Sequence, residues 1–115
     1  MEFGRVRRNH WDADRIREAE LSKFARKVDT NQLEIKQALI TSGYQVDDTS
    51  HFGCGFPDLM VKAKNNAIVL MEVKQAKGKL TKVEAAFFFR WFGSHVYIVR
   101  SIEQALEIMQ GEDLR

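Results

Sequence analysis

The apolar run Ile68-Val69-Leu70-Met71, followed at once by Glu72-Val73-Lys74, constrains this chain more than any other stretch. Four consecutive apolar residues with no helical spacing describe a strand covered on both faces, the kind found in a sheet with helices packed against it. Lys64-Asn65-Asn66 precedes it, and before that Asp58 to Ala63 reads as another strand. Asparagine tolerates the positive φ that tight hairpins need, so the two runs predict an antiparallel hairpin. The charged end of the apolar strand then needs a cause. Carboxylates and ammonium groups are seldom buried without partners, because desolvating a charge is costly.

The rest of the chain supplies matching elements. Asp29 or Thr30 can cap a helix carrying Ile35, Ala38, Leu39 and Ile40, with Gly43 where a helix C-terminal glycine belongs. Tyr44-Gln45-Val46 alternates like a strand, and the stretch from His51 through Gly53-Cys54-Gly55-Phe56-Pro57 cannot hold regular structure. Thr81-x-x-Glu84 is a capping box that opens a helix from Lys82 to Phe92, closed by Gly93. Ser101-x-x-Gln104 opens another from Ile102 to Gln110, closed by Gly111, and His95 to Val99 between them is a strand. The order helix, three strands, helix, strand, helix predicts an α/β fold with a central mixed β-sheet flanked by helices. Upstream, residues 12–27 suit a polar helix begun by Asp12 or Asp14, with Ile16, Leu21, Phe24 and Ala25 as a partial apolar face. Residues 1–28 are thus expected to form a basic, helical N-terminal extension to a domain spanning 29–115.

Composition excludes several classes. A chain of 115 residues has room for one domain. Cys54 has no second cysteine to pair with. No apolar run approaches the roughly 20 residues that span a bilayer, and the charged start, Met1 to Arg8, lacks the apolar core of a signal peptide. A cytoplasmic protein that does not engage membranes is expected. The net charge is only +2, but its distribution is uneven. Arg5, Arg7 and Arg8 crowd the start, and Lys74, Lys77, Lys79 and Lys82 follow one another with no acid between Glu72 and Glu84. Such clusters suit a polyanion, since each phosphate contact releases condensed counterions; a solvated face uses the same residues. Phe87-Phe88-Phe89 with Trp91 and Phe92 is apolar on more than one side, which is more than one helix contact needs, and part of it suits a dimer interface.

The chemistry lies in Asp58, Glu72 and Lys74. A hairpin turning at Asn65-Asn66 brings Asp58 and Glu72 close across two strands, and alternation puts Glu72 and Lys74 on one face. Taken singly, Asp58 is a turn cap and Glu72 with Lys74 an exposed pair. Together they form two carboxylates and an ammonium at the edge of an apolar sheet. Close carboxylates repel, and a hard divalent cation, Mg²⁺ or Mn²⁺, removes the conflict, with the Val73 carbonyl as a further oxygen donor. A cation so placed polarises a phosphodiester, and Lys74 can stabilise charge developing on the phosphate. His10, His51 and His95 have no ligand spacing, although His51 lies near the glycine turn. Cys54 has no base beside it, and no phosphate-cradling glycine loop of the nucleotide-binding kind implies ATP.

The ordered set Gly53-x-Gly55-x-Pro57-Asp58-Leu59, Leu70-Met71-Glu72-Val73-Lys74, Leu80-Thr81-x-x-Glu84 and Val99-Arg100-Ser101, with Asn31-Gln32-Leu33-Glu34-Ile35 upstream, resembles the virus-type replication-repair nuclease (VRR-NUC) domain of the PD-(D/E)xK superfamily, found in phages and in DNA repair enzymes. The resemblance covers about residues 29 to 110. It implies a restriction-endonuclease-like αβββαβ core and a Mg²⁺- or Mn²⁺-dependent DNA endonuclease. It also implies Asp58 and Glu72 as metal ligands, Glu34 as the helical acid completing the site directly or through water, and Lys74 as the catalytic lysine. Glu84 stands where many members carry Gln and some Glu. Free-standing members are similar to Holliday-junction resolvases, so a homodimer acting on branched DNA is expected. Arg5, Arg7, Arg8, Lys77, Lys79 and Lys82 are then the candidates to hold DNA. The rival from another class is a non-catalytic DNA-binding or assembly subunit of a replication or repair complex that keeps the fold.

Overall fold

The computed structural model of the chain describes residues 30–115; the helix expected over 12–27, the extension boundary and Arg5, Arg7 and Arg8 lie outside the described residues. Helix α1, Thr30–Thr41, buries Gln32, Ile35 and Leu39 on one side. It ends at Gly43, whose φ of +96° lets the Tyr44 N–H turn back to the Leu39 carbonyl at 3.1 Å. Strands β1 (Gln45–Asp48), β2 (Leu59–Lys62) and β3 (Ile68–Val73) follow, then helix α2 (Lys82–Arg90), strand β4 (Val96–Val99) and helix α3 (Ile102–Asp113). The sheet has the order β1-β2-β3-β4, antiparallel across the first three strands and parallel between β3 and β4. The α2 crossover is what permits that parallel pair.

The β2–β3 turn forms at the expected place. The Asn66 N–H donates to the Ala63 carbonyl at 2.9 Å and Asn66 takes a φ of 73°, while the Asn65 side chain accepts from the Ala67 N–H. A three-residue loop ending on a left-handed residue fixes the hairpin register, with Leu59 opposite Met71 and Lys62 opposite Ile68. One sheet face carries Leu59, Val61, Val69, Met71 and Val99, all fully buried with Ile35 and Leu39 of α1 and Ala105 and Met109 of α3. Among the described residues the other face carries less cover. Ile68 remains 52 % exposed because α2, nine residues long, buries only Phe87. The coverage of β3 on both faces expected from its apolar run is therefore incomplete at its start.

Two helix ends differ from expectation. Helix α2 stops at Arg90, two residues early, with Trp91 as its cap and Gly93 at φ +90° just beyond. Helix α3 runs through Gly111 to Asp113 rather than closing at the glycine. Its last turn is pinned to the sheet: Asp113 accepts from the Tyr44 hydroxyl at 2.6 Å and the Lys64 N–H at 2.8 Å. Buried Glu112 accepts from the Tyr97 hydroxyl and lies 2.7 Å from His95 Nδ1. Those bonds outweigh the roughly 1 kcal/mol that glycine costs inside a helix. Among the described residues no helix is long and apolar enough to cross a membrane.

Candidate active site

The hairpin register carries Asp58 and Glu72 toward each other. Leu59 pairs with Met71, so one step further along the strands Asp58 faces Glu72. Asp58 Oδ2 accepts the Val73 N–H at 2.9 Å, which fixes the aspartate against the end of β3. Glu72 is 2 % exposed; its Oε1 is buried without a hydrogen-bond partner, while Oε2 is 3.6 Å from Lys74 Nζ. Lys74 in turn lies 2.7 Å from Glu84 Oε1. Glu84 is held by the capping box, its Oε1 accepting the Thr81 N–H at 2.9 Å while the Thr81 hydroxyl accepts the Glu84 N–H at 3.2 Å. The sequence signal that starts α2 thus also aims a carboxylate at the lysine.

The electrostatics follow from this packing. Burial, then the charge of Asp58 and the contact with Glu84, push the Glu72 carboxyl up to about 9, with Lys74 only partly opposing them. Burial disfavours the Lys74 charge, but Glu84, Glu72 and Asp58 outweigh it and hold the ammonium above its ordinary range. Glu84 is also partly desolvated, yet Lys74 and the Thr81 N–H keep it below the usual carboxylate range. The result is one firmly ionised Lys74–Glu84 pair beside a glutamate that strongly resists carrying its charge alone.

The backbone around the cluster is braced from several directions. Gly55, at φ +79°, presses against the first turn of α2 so closely that a Cβ there would meet the Val83 carbonyl at 2.4 Å. Buried Thr49 ties the loop ends together: its N–H donates to the Asp58 carbonyl at 2.8 Å and its hydroxyl to the Pro57 carbonyl at 2.7 Å. Asn31 Nδ2, at the start of α1, donates to the Lys74 carbonyl at 3.0 Å and the Arg100 carbonyl at 3.3 Å. The Arg100 guanidinium holds the segment after Lys74 through the carbonyls of Gln75 at 2.6 Å and Gly78 at 2.7 Å. Asn31 and Arg100 belong to motifs visible in the sequence, but nothing local indicated that they brace Lys74.

Asp58, Glu72, Lys74 and Glu84 therefore come together. Glu34 is exposed on α1 and shares no hydrogen bond or ion pair with them. Lys77 and Lys79 are exposed on the braced segment and Lys82 on the first turn of α2. His51 and Cys54 are exposed in the glycine loop, and His95 is bound to Glu112.

A solved structure described as a VRR_NUC domain is similar to this chain at a TM-score of 0.57 and 26 % identity, over 69 % of this chain and 89 % of that one. This likeness supports the VRR-NUC resemblance carried by the sequence motifs. No family model matches the sequence, and no curated protein matches it. The mixed four-stranded sheet with its helices matches the VRR-NUC fold, a likeness that suggests a function of the nuclease type. In this chain the carboxylates and the lysine gather at the C-terminal end of β3, beside the turn that opens α2.

Proposed function

We propose that the protein is a Mg²⁺- or Mn²⁺-dependent DNA endonuclease whose site is Asp58, Glu72 and Lys74. The observation that supports this is the buried, unpartnered Oε1 of Glu72 beside a second carboxylate. A buried oxygen with no donor costs free energy that a cation offsets. Among the described residues no group of three or more His, Cys, Asp or Glu side chains is arranged to hold a metal. Two carboxylates suit Mg²⁺, which keeps several waters and takes few protein ligands. Asp58 and Glu72 would hold the ion with the Val73 carbonyl, and Glu34 would reach it directly or through water. When bound, it supplies Lewis-acid polarisation of the phosphodiester and acidifies a water.

The protein's own groups do the rest. The Lys74 ammonium, kept charged by Glu84, stabilises charge developing on the phosphoryl oxygens during in-line attack by water. Asp58 stays aimed by the Val73 N–H, and Lys77, Lys79 and Lys82 contact flanking phosphates. The same reading takes branched DNA, such as a four-way junction, as substrate and a homodimer as the working unit, so that two centres address two strands. Exposed Phe89 and Phe92 supply an apolar face for the second copy. The test is incubation with supercoiled plasmid and a labelled four-way junction in Mg²⁺, Mn²⁺ or EDTA. Cutting is expected in either metal, absent in EDTA, and reduced at least ~100-fold by Asp58→Ala and by Lys74→Ala. If the wild type cuts nothing in either metal yet binds DNA equally well in EDTA, the protein is a non-catalytic DNA-binding subunit.

A further inference from the structure

An unbroken row of aromatic rings runs from the glycine loop to the end of α2, and the chemistry assigned above does not use it. His51 and Phe52 meet edge-on at 5.2 Å between centroids, Phe52 and Phe56 at 5.1 Å, Phe56 and Phe87 at 5.3 Å, and Phe87 and Trp91 stack at 6.0 Å. The row is anchored by Phe87, 5 % exposed on α2, and surfaces at Phe52, 57 % exposed in the glycine loop. A lone exposed ring is ordinary on a protein surface, but this one ends a contiguous row of packed rings and would gain free energy by covering its face with a flat partner. The support here is rigid. The Phe52 N–H donates to the Thr49 carbonyl at 3.1 Å and the Phe56 N–H to the Gly53 carbonyl at 3.1 Å, and Thr49 also binds the backbone of Asp58. The ring is therefore fixed relative to the carboxylate six positions along.

Charge narrows the partner. Gly55 abuts Val83, so the loop lies on the turn of α2 that begins with exposed Lys82, and Lys79 precedes it. A flat apolar ring beside lysines is the combination that binds single-stranded nucleic acid, bases stacking on the ring while lysines track the phosphates. We propose that Phe52, backed by His51 and Phe56, is a stacking platform for an unpaired base next to the phosphate addressed by Asp58 and Glu72. The inference rests on the nuclease reading and deepens it. The substrate is DNA carrying an unstacked base at the cleavage point, and a continuous duplex leaves the platform empty.

The experiment uses the whole chain in EDTA, with two oligonucleotides of equal length: a blunt duplex, and a duplex with a single-stranded tail carrying 2-aminopurine at the first unpaired position. Binding of the tailed DNA should change the 2-aminopurine fluorescence, and this DNA should bind more tightly than the blunt one. Phe52→Leu, which keeps an apolar side chain without a ring, should abolish the fluorescence change and weaken tailed-DNA binding roughly 5- to 100-fold. Blunt-duplex affinity should stay within about twofold, and Phe52→Tyr should restore the lost binding. Equal binding of both DNAs by the wild type, or a Phe52→Leu variant indistinguishable from it, overturns the platform and leaves the nuclease reading standing. A wild type that binds neither DNA overturns the platform, while cutting in Mg²⁺ or Mn²⁺ decides the nuclease reading separately.

Discussion

Glu72 ends an apolar strand with one oxygen unpartnered and Asp58 and Glu84 as neighbours. Its carboxyl is raised by burial first, then by those two acids, so the metal-free fold keeps a proton there that the unfolded chain releases near its ordinary value of 4.5. Between the two values the folded state binds more protons, and rising pH then favours unfolding. Below pH 4.5 both states are protonated and the group contributes nothing. The metal-free protein should thus lose stability from pH 5 toward pH 9, while Glu72→Gln, neutral throughout, should lose less. The gap between them should grow to about 1–3 kcal/mol by pH 9. Urea titrations in EDTA at pH 5, 7 and 9 measure it, and parallel profiles would show that Glu72 ionises freely in the folded chain. Asp58, Glu72 and Lys74 were legible in the sequence because a short hairpin and strand alternation place them. Asn31 was visible only as part of a motif. Its bond to the Lys74 carbonyl spans 43 positions, and only the packing of α1 against the sheet end creates it.

At the scale of elements, the glycine loop and the start of α2 act as one unit. Both ends of the loop are tied by Thr49, and its middle leans on Val83. Gly55 is required twice over, by a φ of +79° and by the missing Cβ. Gly43 shares the left-handed conformation at +96° but has open space around it. Gly43→Ala should therefore cost only ~1 kcal/mol of stability, whereas Gly55→Ala should cost more than ~2 kcal/mol and also lower cutting, since it displaces Asp58 and Glu84 together. Chemical denaturation of both variants beside a plasmid assay checks this. Equal costs would mean that the loop yields where it meets α2. The capping box at Thr81 was legible because its signal is local. The end of α3 was not, since Gly111 reads as a stop until Tyr44, Lys64, Tyr97 and His95 are seen to hold the turn beyond it. A glycine reports a helix end only where no tertiary bond continues the helix.

For the whole molecule, the uneven cover of the sheet matters most. Among the described residues one face is closed by α1 and α3, while the face bearing Glu72 has α2, whose far end leaves Phe89 84 % and Phe92 91 % exposed. Around them Ala85, Phe88, Trp91 and Val96 line a shallow groove. Exposed rings of this size in a small domain cost solubility unless something covers them. The proposed homodimer would meet that need, because a two-fold contact sets the same patch against itself. Aromatic side chains at the centre of such a contact carry most of its free energy. Sedimentation equilibrium at micromolar concentration should then give twice the 13.3 kDa mass of the chain. Phe89→Ser with Phe92→Ser should give the single mass, with unfolding stability per chain little changed because neither ring is packed within the domain. The double variant should nick plasmid on one strand at a near wild-type rate but lose paired incision of a four-way junction, which needs two centres held together. A strict monomer in the wild type would remove the homodimer and, with it, the argument for coordinated cutting. A dimer that survives both serines would instead place the contact elsewhere and leave the aromatic face to another partner.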